Sequence, residues 1–174
     1  MNYTLENSLL IITNKQITQE EFEIVCRTNV FTELDCSDCV FLIYIPNIPG
    51  LVTLMCYNCP FLESLPIMPK LKCLWCDNCP LLESLPSMPE LKILLCCNCQ
   101  LLKSLPSMPE LESLSCDDCP LLNNKIKDLA DYKKIRNSQD TIVQLLCYQN
   151  ATFIKEDINK LRHDLVKLTK EFLI

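Results

Sequence analysis

The sequence predicts an α/β solenoid, in which short structural units stack along one axis and separate segments cover the two ends. Cysteine pairs, leucines and prolines all recur with a fixed period of 20 residues. Such a period is typical of stacked repeats, because each unit needs its neighbours to bury its apolar face. The cysteine pairs are Cys36/Cys39, Cys56/Cys59, Cys76/Cys79, Cys96/Cys99 and Cys116/Cys119. The proline pairs are Pro46/Pro49, Pro66/Pro69, Pro86/Pro89 and Pro106/Pro109.

The unit at residues 51–70 shows how the elements of one repeat are assigned. Leu54 and Cys56 alternate with non-core side chains, which is the period of two expected of a short strand. An Asp or Asn precedes the second cysteine of every pair, and such side chains favour the turns that end strands. The Leu-Pro-x-Met-Pro segment excludes a regular helix and favours a polyproline II-like return. The Asp and Asn residues are Asp38, Asn58, Asn78, Asn98 and Asp118.

These positions resemble the leucine-rich repeat family over residues 31–122. Its Leu-x-x-Leu-x-Leu-x-x-Cys/Asn-x-x-Leu core is matched, with cysteine in place of the third leucine, by Leu51, Leu54, Cys56, Cys59 and Leu62. The unit length and the proline-rich return are similar to the short repeats of bacterial effectors, and the cysteine content resembles repeat proteins of giant viruses. The resemblance implies a parallel sheet on a concave face and the returns on a convex face. Each unit is expected to bury seven apolar side chains, which for this unit are Leu51, Leu54, Cys56, Cys59, Leu62, Leu65 and Met68.

The paired cysteines allow three interpretations: buried core thiols, zinc ligands or disulfides. Two Cys-x-x-Cys pairs separated by sixteen residues fall within zinc-ribbon spacing. Three points oppose zinc. A pair at the end of an extended strand would separate its sulfurs by about 10 Å. The chain has a single glycine, Gly50, although tight turns around metals commonly use glycine for positive φ. A ribbon would also leave the leucine and proline periods unexplained. We expect core thiols, the second one a weak donor to the turn backbone, and no cofactor.

The resemblance also implies a binding surface, because the side chains between the core leucines point onto the concave face. Its centre is apolar and its ends are acidic or polar, which indicates a protein partner. The expected partner-binding residues are Met55, Tyr57, Cys73, Trp75, Asp77, Ile93, Leu95 and Cys97. Self-association into a weak homodimer, or coverage by the chain's own termini, are the alternatives.

Both ends are expected to cap the repeats, as residues 1–30 and residues 123–174. A first strand is predicted at residues 9–12, and Thr18-Gln19-Glu20-Glu21 fits a capping box that opens a helix to about Arg27. The C-terminal part predicts a short helix near residues 139–148. An amphipathic helix is predicted from a stripe of Ile158, Leu161, Leu165, Leu168 and Phe172. This second helix could also recruit a partner.

Charge and hydropathy argue against a membrane-spanning protein and against a nucleic-acid partner. The chain has 174 residues, enough for one domain with a core, and its longest apolar run, of about seven residues, is too short for a bilayer. Residues 34–122 carry 4 basic and 10 acidic side chains, which disfavours nucleic acid. With no basic, apolar leader at the N-terminus, we expect a cytoplasmic protein (host cytoplasm if viral) that is a monomer or weak homodimer.

No catalytic constellation is visible in the sequence. The only histidine, His163, falls on the polar side of a predicted helix, and one glycine excludes a glycine-rich phosphate loop. Cys147 lacks the acidic partner that a ubiquitin-ligase cysteine requires. The sequence therefore predicts a non-enzymatic scaffold that binds a protein. A zinc-dependent structural module and a substrate adaptor of a ubiquitin-ligase assembly are the alternatives.

Overall fold

A computed structural model describes residues 2–122, 126 and 129–134. The chain divides into two compact units, Met1–Lys133 and Lys134–Ile174. The second unit lies outside the described residues except for Lys134, as do the predicted helices near residues 139–148 and 158–172 together with His163 and Cys147. No helix in the described part of the chain has the length and apolar character that a membrane span needs.

The first unit is a solenoid with about five coils of 20 residues and one sheet whose strand order follows the chain. The strands are β1 (Tyr3–Glu6), β2 (Leu9–Ile12), β3 (Glu33–Asp35), β4 (Thr53–Met55), β5 (Cys73–Trp75), β6 (Ile93–Leu95) and β7 (Ser113–Ser115), and helix α1 spans Gln19–Thr28. β1 is antiparallel to β2, and all the other neighbours are parallel. The register shifts by 20 residues from each coil to the next, so that Leu34, Leu54 and Leu74 are direct neighbours. The predicted stack is confirmed.

The core is built from the same repeat positions in each coil. In the unit at residues 51–70 all seven expected side chains are buried, with Leu65 the most accessible at 7%. The same columns run through the neighbouring coils and end on Leu10 and Ile12 of β2. Because the strand side chains alternate, Leu54 faces this core while Thr53 and Met55 lie on the other side of the sheet.

The turn after each strand uses Asp or Asn in the left-handed region. Their φ angles are 61° at Asp38, 56° at Asn58, 54° at Asn78, 56° at Asn98 and 56° at Asp118. Asn and Asp tolerate this conformation because their short side chains bond locally, so glycine is not required. The predicted Asp and Asn turns are therefore confirmed, and the scarcity of glycine is no argument against tight turns at the cysteine pairs. These turns also mean that the two cysteines of a pair are not joined by extended chain, as the argument against zinc had assumed.

Two further turns occur in each coil, and in most coils they begin with a cysteine or a methionine that is followed by proline. Leu62 N donates to Cys59 O at 3.2 Å across Pro60, and Leu71 N donates to Met68 O at 3.2 Å across Pro69. Proline suits the second position of such a turn because its φ is already fixed. Between these two turns residues 65–68 contain neither helix nor strand.

The N-terminal segment extends the sheet and adds one helix. The predicted capping box is confirmed, since Glu21 N donates to Thr18 Oγ1 and Thr18 N donates to Glu21 Oε2. Phe22, Val25 and Cys26 of α1 are buried. The predicted strand at residues 9–12 is confirmed as β2, but β1 was not predicted; it pairs with β2 through a hairpin in which Asn7 has a φ of 55°.

Residues 129–134 are helical, and one of their side chains packs on the last coils. Tyr132 is buried, and its hydroxyl donates to Pro106 O at 2.8 Å and accepts from Met108 N at 2.9 Å. These bonds satisfy two backbone groups of the last return segment in the described part of the chain.

Candidate functional site

The sheet face opposite the core, here called the outer sheet face, collects the strand residues that were expected to bind a partner. It consists of Glu33, Asp35, Thr53, Met55, Cys73, Trp75, Ile93, Leu95, Ser113 and Ser115. The parallel register places them in two rows, one through Cys73 and Ile93 and one through Trp75 and Leu95. The remaining expected residues, Tyr57, Asp77 and Cys97, follow the strands at their carboxyl ends.

The centre of the outer sheet face is apolar and half-buried. Met55, Trp75 and Leu95 occupy neighbouring positions of one row, with Ile93 beside them in the other. The Nε1 atom of Trp75 is buried and has no hydrogen-bond partner within the described residues. A buried unpaired donor costs free energy.

Polar groups frame this apolar centre. Asp77 Oδ1 accepts from Cys97 N at 2.8 Å, and Cys97 Sγ lies 3.0 Å from Ser115 Oγ. In the first coil, Asp35 Oδ1 accepts from Ser37 N at 3.0 Å. The carboxylates thus stiffen the ends of the strands and leave an acidic border along the face.

The second thiol of each later pair donates to the preceding coil, which we call the thiol ladder. Cys59 Sγ donates to Cys36 O at 3.3 Å, and the bonds from Cys79, Cys99 and Cys119 to the equivalent carbonyls are 3.1, 3.2 and 3.0 Å. This is the backbone donor role expected from the sequence. Burial raises the pKa of Cys36 well above its ordinary value and the pKa of Cys39 to about 11.

The geometry of the thiols opposes their use as zinc ligands. A ligand must be a thiolate, whereas these side chains use their protons to satisfy backbone carbonyls. Burial raises the pKa of the donor Cys59, whereas hydrogen bonds with Cys56 and Cys96 lower the pKa values of Cys79 and Cys119. Among the described residues no group of three or more His, Cys, Asp or Glu side chains is arranged to hold a metal ion. The thirteen described cysteines are free thiols.

A second ladder, the amide ladder, runs beside the thiols through the left-handed turn residues. Asn58 Nδ2 donates to Asp38 Oδ1 at 2.8 Å, and Asn78 and Asn98 each donate to the preceding asparagine at 2.8 and 2.7 Å. Asp118 has no amide to continue the series. Instead Gln100, which replaces the proline found in three of the other coils, donates to Asn98 Oδ1 at 2.6 Å.

Sequence reasoning missed an exposed apolar surface on the other side of the amide ladder, here called the turn ridge. It comprises the central residue pairs of the five turns that start at the second cysteine of each pair: Val40–Phe41, Pro60–Phe61, Pro80–Leu81, Gln100–Leu101 and Pro120–Leu121. Phe41 is 51% exposed, Phe61 52%, Leu101 36% and Leu121 47%, whereas Leu81 is half-buried. A groove of about 350 Å³ is lined by Pro60 and Pro80 of the ridge and by Asn58, Asn78 and Asn98 of the ladder. The sequence signal was an apolar residue at period 20 that the core pattern did not use.

No model of a protein family matches the sequence, and neither the curated proteins nor the solved structures give a match.

Proposed function

We propose that the chain is a non-enzymatic leucine-rich repeat protein whose outer sheet face, concave in that family, binds a protein partner. The family assignment is supported by the burial of all seven expected positions in the unit at residues 51–70, and by in-register parallel strands. Thirteen free thiols support a reducing compartment such as the cytoplasm, where cysteines stay reduced.

One observation carries the binding proposal: the outer sheet face differs from coil to coil while the core positions do not. The row that begins at Asp35 reads Asp-Met-Trp-Leu-Ser, whereas the buried row beside it is leucine in every coil. A fold requires only that such positions be compatible with a strand. A single specific partner requires a particular arrangement of apolar, aromatic and acidic groups, with aromatic anchors near the centre.

The test compares proteins captured by the full-length chain and by two variants. Trp75→Ala combined with Leu95→Ala should abolish capture of the partner, because it removes the apolar centre. Ile67→Ser is the matched control, since Ile67 is apolar and 70% exposed but lies in a return segment. Equal capture by wild type and the double variant, with both folded by circular dichroism, would reject the outer sheet face as the binding surface.

A further inference from the structure

The turn ridge is apolar in every coil, although neither the core nor the turns require it. Its second residue is Phe or Leu in all five coils, and its first is Val or Pro in all but one. Turn centres favour Gly, Asn, Asp, Ser or Pro, so proline is explained by the turn and the Phe and Leu side chains are not. They contribute little burial, since Phe41 and Phe61 are about half exposed.

Two other exposed positions of the repeat do not keep one character. The position two residues after the ridge is occupied in successive coils by Ile43, Glu63, Glu83 and Lys103. The position of Ile67 is Asn47 and Ser87 in the neighbouring coils. A continuous exposed apolar strip that neither the core nor the turns require indicates an interaction site.

The spacing of the ridge fits a helix laid along it. Parallel strands lie about 4.8 Å apart, so five coils present five apolar side chains over about 19 Å. A helix offers a side chain to one face once per turn, about every 5.4 Å. Four helical turns span about 22 Å, so the helix and the ridge differ in length by less than half a turn over all five coils. An extended strand repeats on one face about every 6.7 Å and would lose this match after two coils.

The charges around the ridge select a basic partner. Asp38 and Asp118 precede the ridge at its two ends, and exposed Glu63 and Glu83 follow it in the central coils. Two lysines of the described residues offset part of this charge: Lys103 forms an ion pair of 2.7 Å with Glu83, and Lys15 lies at the first turn of the ridge, where its carbonyl accepts from Val40 N at 3.0 Å. Anionic membrane surfaces and a second copy of this acidic ridge would both be repelled.

We propose that the turn ridge is a second binding surface, separate from the outer sheet face, which takes a basic amphipathic helix of a protein partner. Apolar side chains of that helix, three or four residues apart, pack on Phe41, Phe61 and the leucines that follow. Lysine or arginine side chains at its margins meet the flanking carboxylates.

The probe is a fluorescent peptide helix of about 16 residues, with leucine every third or fourth position and lysine elsewhere. A peptide of the same composition in scrambled order is its control. Fluorescence anisotropy with the full-length chain should show binding of the helix and weaker binding at about 0.5 M salt. Phe41→Ser combined with Phe61→Ser should weaken binding at least about tenfold. Ile67→Ser and Trp75→Ala should leave it unchanged.

Four results would overturn the proposal. The scrambled peptide could bind as well as the helix, or the Phe41→Ser/Phe61→Ser variant, folded by circular dichroism, could bind as well as wild type. Sedimentation could show a wild-type dimer that this variant lacks, making a second copy the occupant. Flotation with vesicles of zwitterionic lipid could show ridge-dependent membrane binding instead.

Discussion

The carboxyl edge of the strands and the outer sheet face lie only a few residues apart in each coil, yet the side chains repeat at the edge and vary on the face. At the edge, the thiol and amide ladders repeat almost unchanged and bond each coil to the one before it. On the outer sheet face the side chains change from coil to coil, and Trp75 Nε1 is unpaired within the described residues.

This difference separates what stacks the coils from what is free to recognise a partner. Backbone carbonyls at the turns have no strand partner on the core side and must be satisfied by buried donors. A substitution at one of these positions should therefore destabilise the whole stack, whereas a substitution on the outer sheet face should change the stability of the folded state little.

The largest expected effect is a loss of stability at alkaline pH. Burial raises the pKa of Cys39 to about 11 and that of Cys26, with help from Glu23, to about 12. Unfolded thiols ionise near pH 9, so above that pH the unfolded state releases protons that the folded state keeps. The free energy of unfolding is then lost at up to about 1.4 kcal/mol per thiol and pH unit.

Urea unfolding in reductant should therefore show stability that is level below about pH 8.5 and several kcal/mol lower at about pH 10. Cys26→Ala should reduce this slope by about one proton, and Trp75→Ala should not change it. A level profile to pH 10 would mean that the thiols are not buried in their protonated form.

The next largest effect is expected from breaking one step of the thiol ladder. Cys79→Ala removes a buried side chain and leaves Cys56 O without its donor, which we expect to cost about 2–3 kcal/mol. Cys39→Ala is the control, because Cys39 is equally buried but its thiol donates no hydrogen bond within the described residues. In chemical denaturation, the free energy of unfolding of Cys39→Ala should be about 1 kcal/mol higher than that of Cys79→Ala. Equal losses in the two variants would mean that the ladder bonds contribute nothing beyond packing.

A smaller effect tests the end of the amide ladder. Gln100→Pro restores the residue of three other coils but removes the amide that donates to Asn98 Oδ1 and to Asp118 O, and should cost about 1 kcal/mol. Adding Asp118→Asn supplies the missing amide and should recover most of that loss. The double-mutant cycle is measured by thermal unfolding. If Asp118→Asn rescues nothing, Gln100 does not substitute for a ladder amide.

The smallest effect on stability is expected on the outer sheet face. Trp75→Ala should change the free energy of unfolding by less than about 1 kcal/mol, because the side chain is half-buried and its N–H is unpaired. Leu74→Ala, one residue earlier and facing the core, should cost about 2–5 kcal/mol. Comparable losses in calorimetry would place Trp75 in the core.

Periodicity was enough to predict the coils, the core positions and the strand residues of the outer sheet face, because equivalent side chains pack in the same way in every coil. It could not predict β1, since Tyr3–Glu6 lies outside the repeat and its pairing depends on the hairpin at Asn7. The Asp and Asn residues predicted the turns correctly, but the glycine count was a poor argument against a metal site, because Asn and Asp supply the positive φ. The turn ridge was missed because exposure at residues such as Phe61 depends on which side of the turn faces the core.

The central claim is that the repeated thiols are protonated core residues rather than metal ligands, and thiol labelling after chelation tests it most directly. In a Cys147→Ser background, native protein treated with chelator should retain its fold. A small alkylating reagent should then modify only Cys73 and Cys97, which are half-buried in the native state. The eleven buried described thiols should react only on unfolding. If chelator releases about one zinc per four cysteines, and the buried thiols then react as the fold is lost, the claim is wrong.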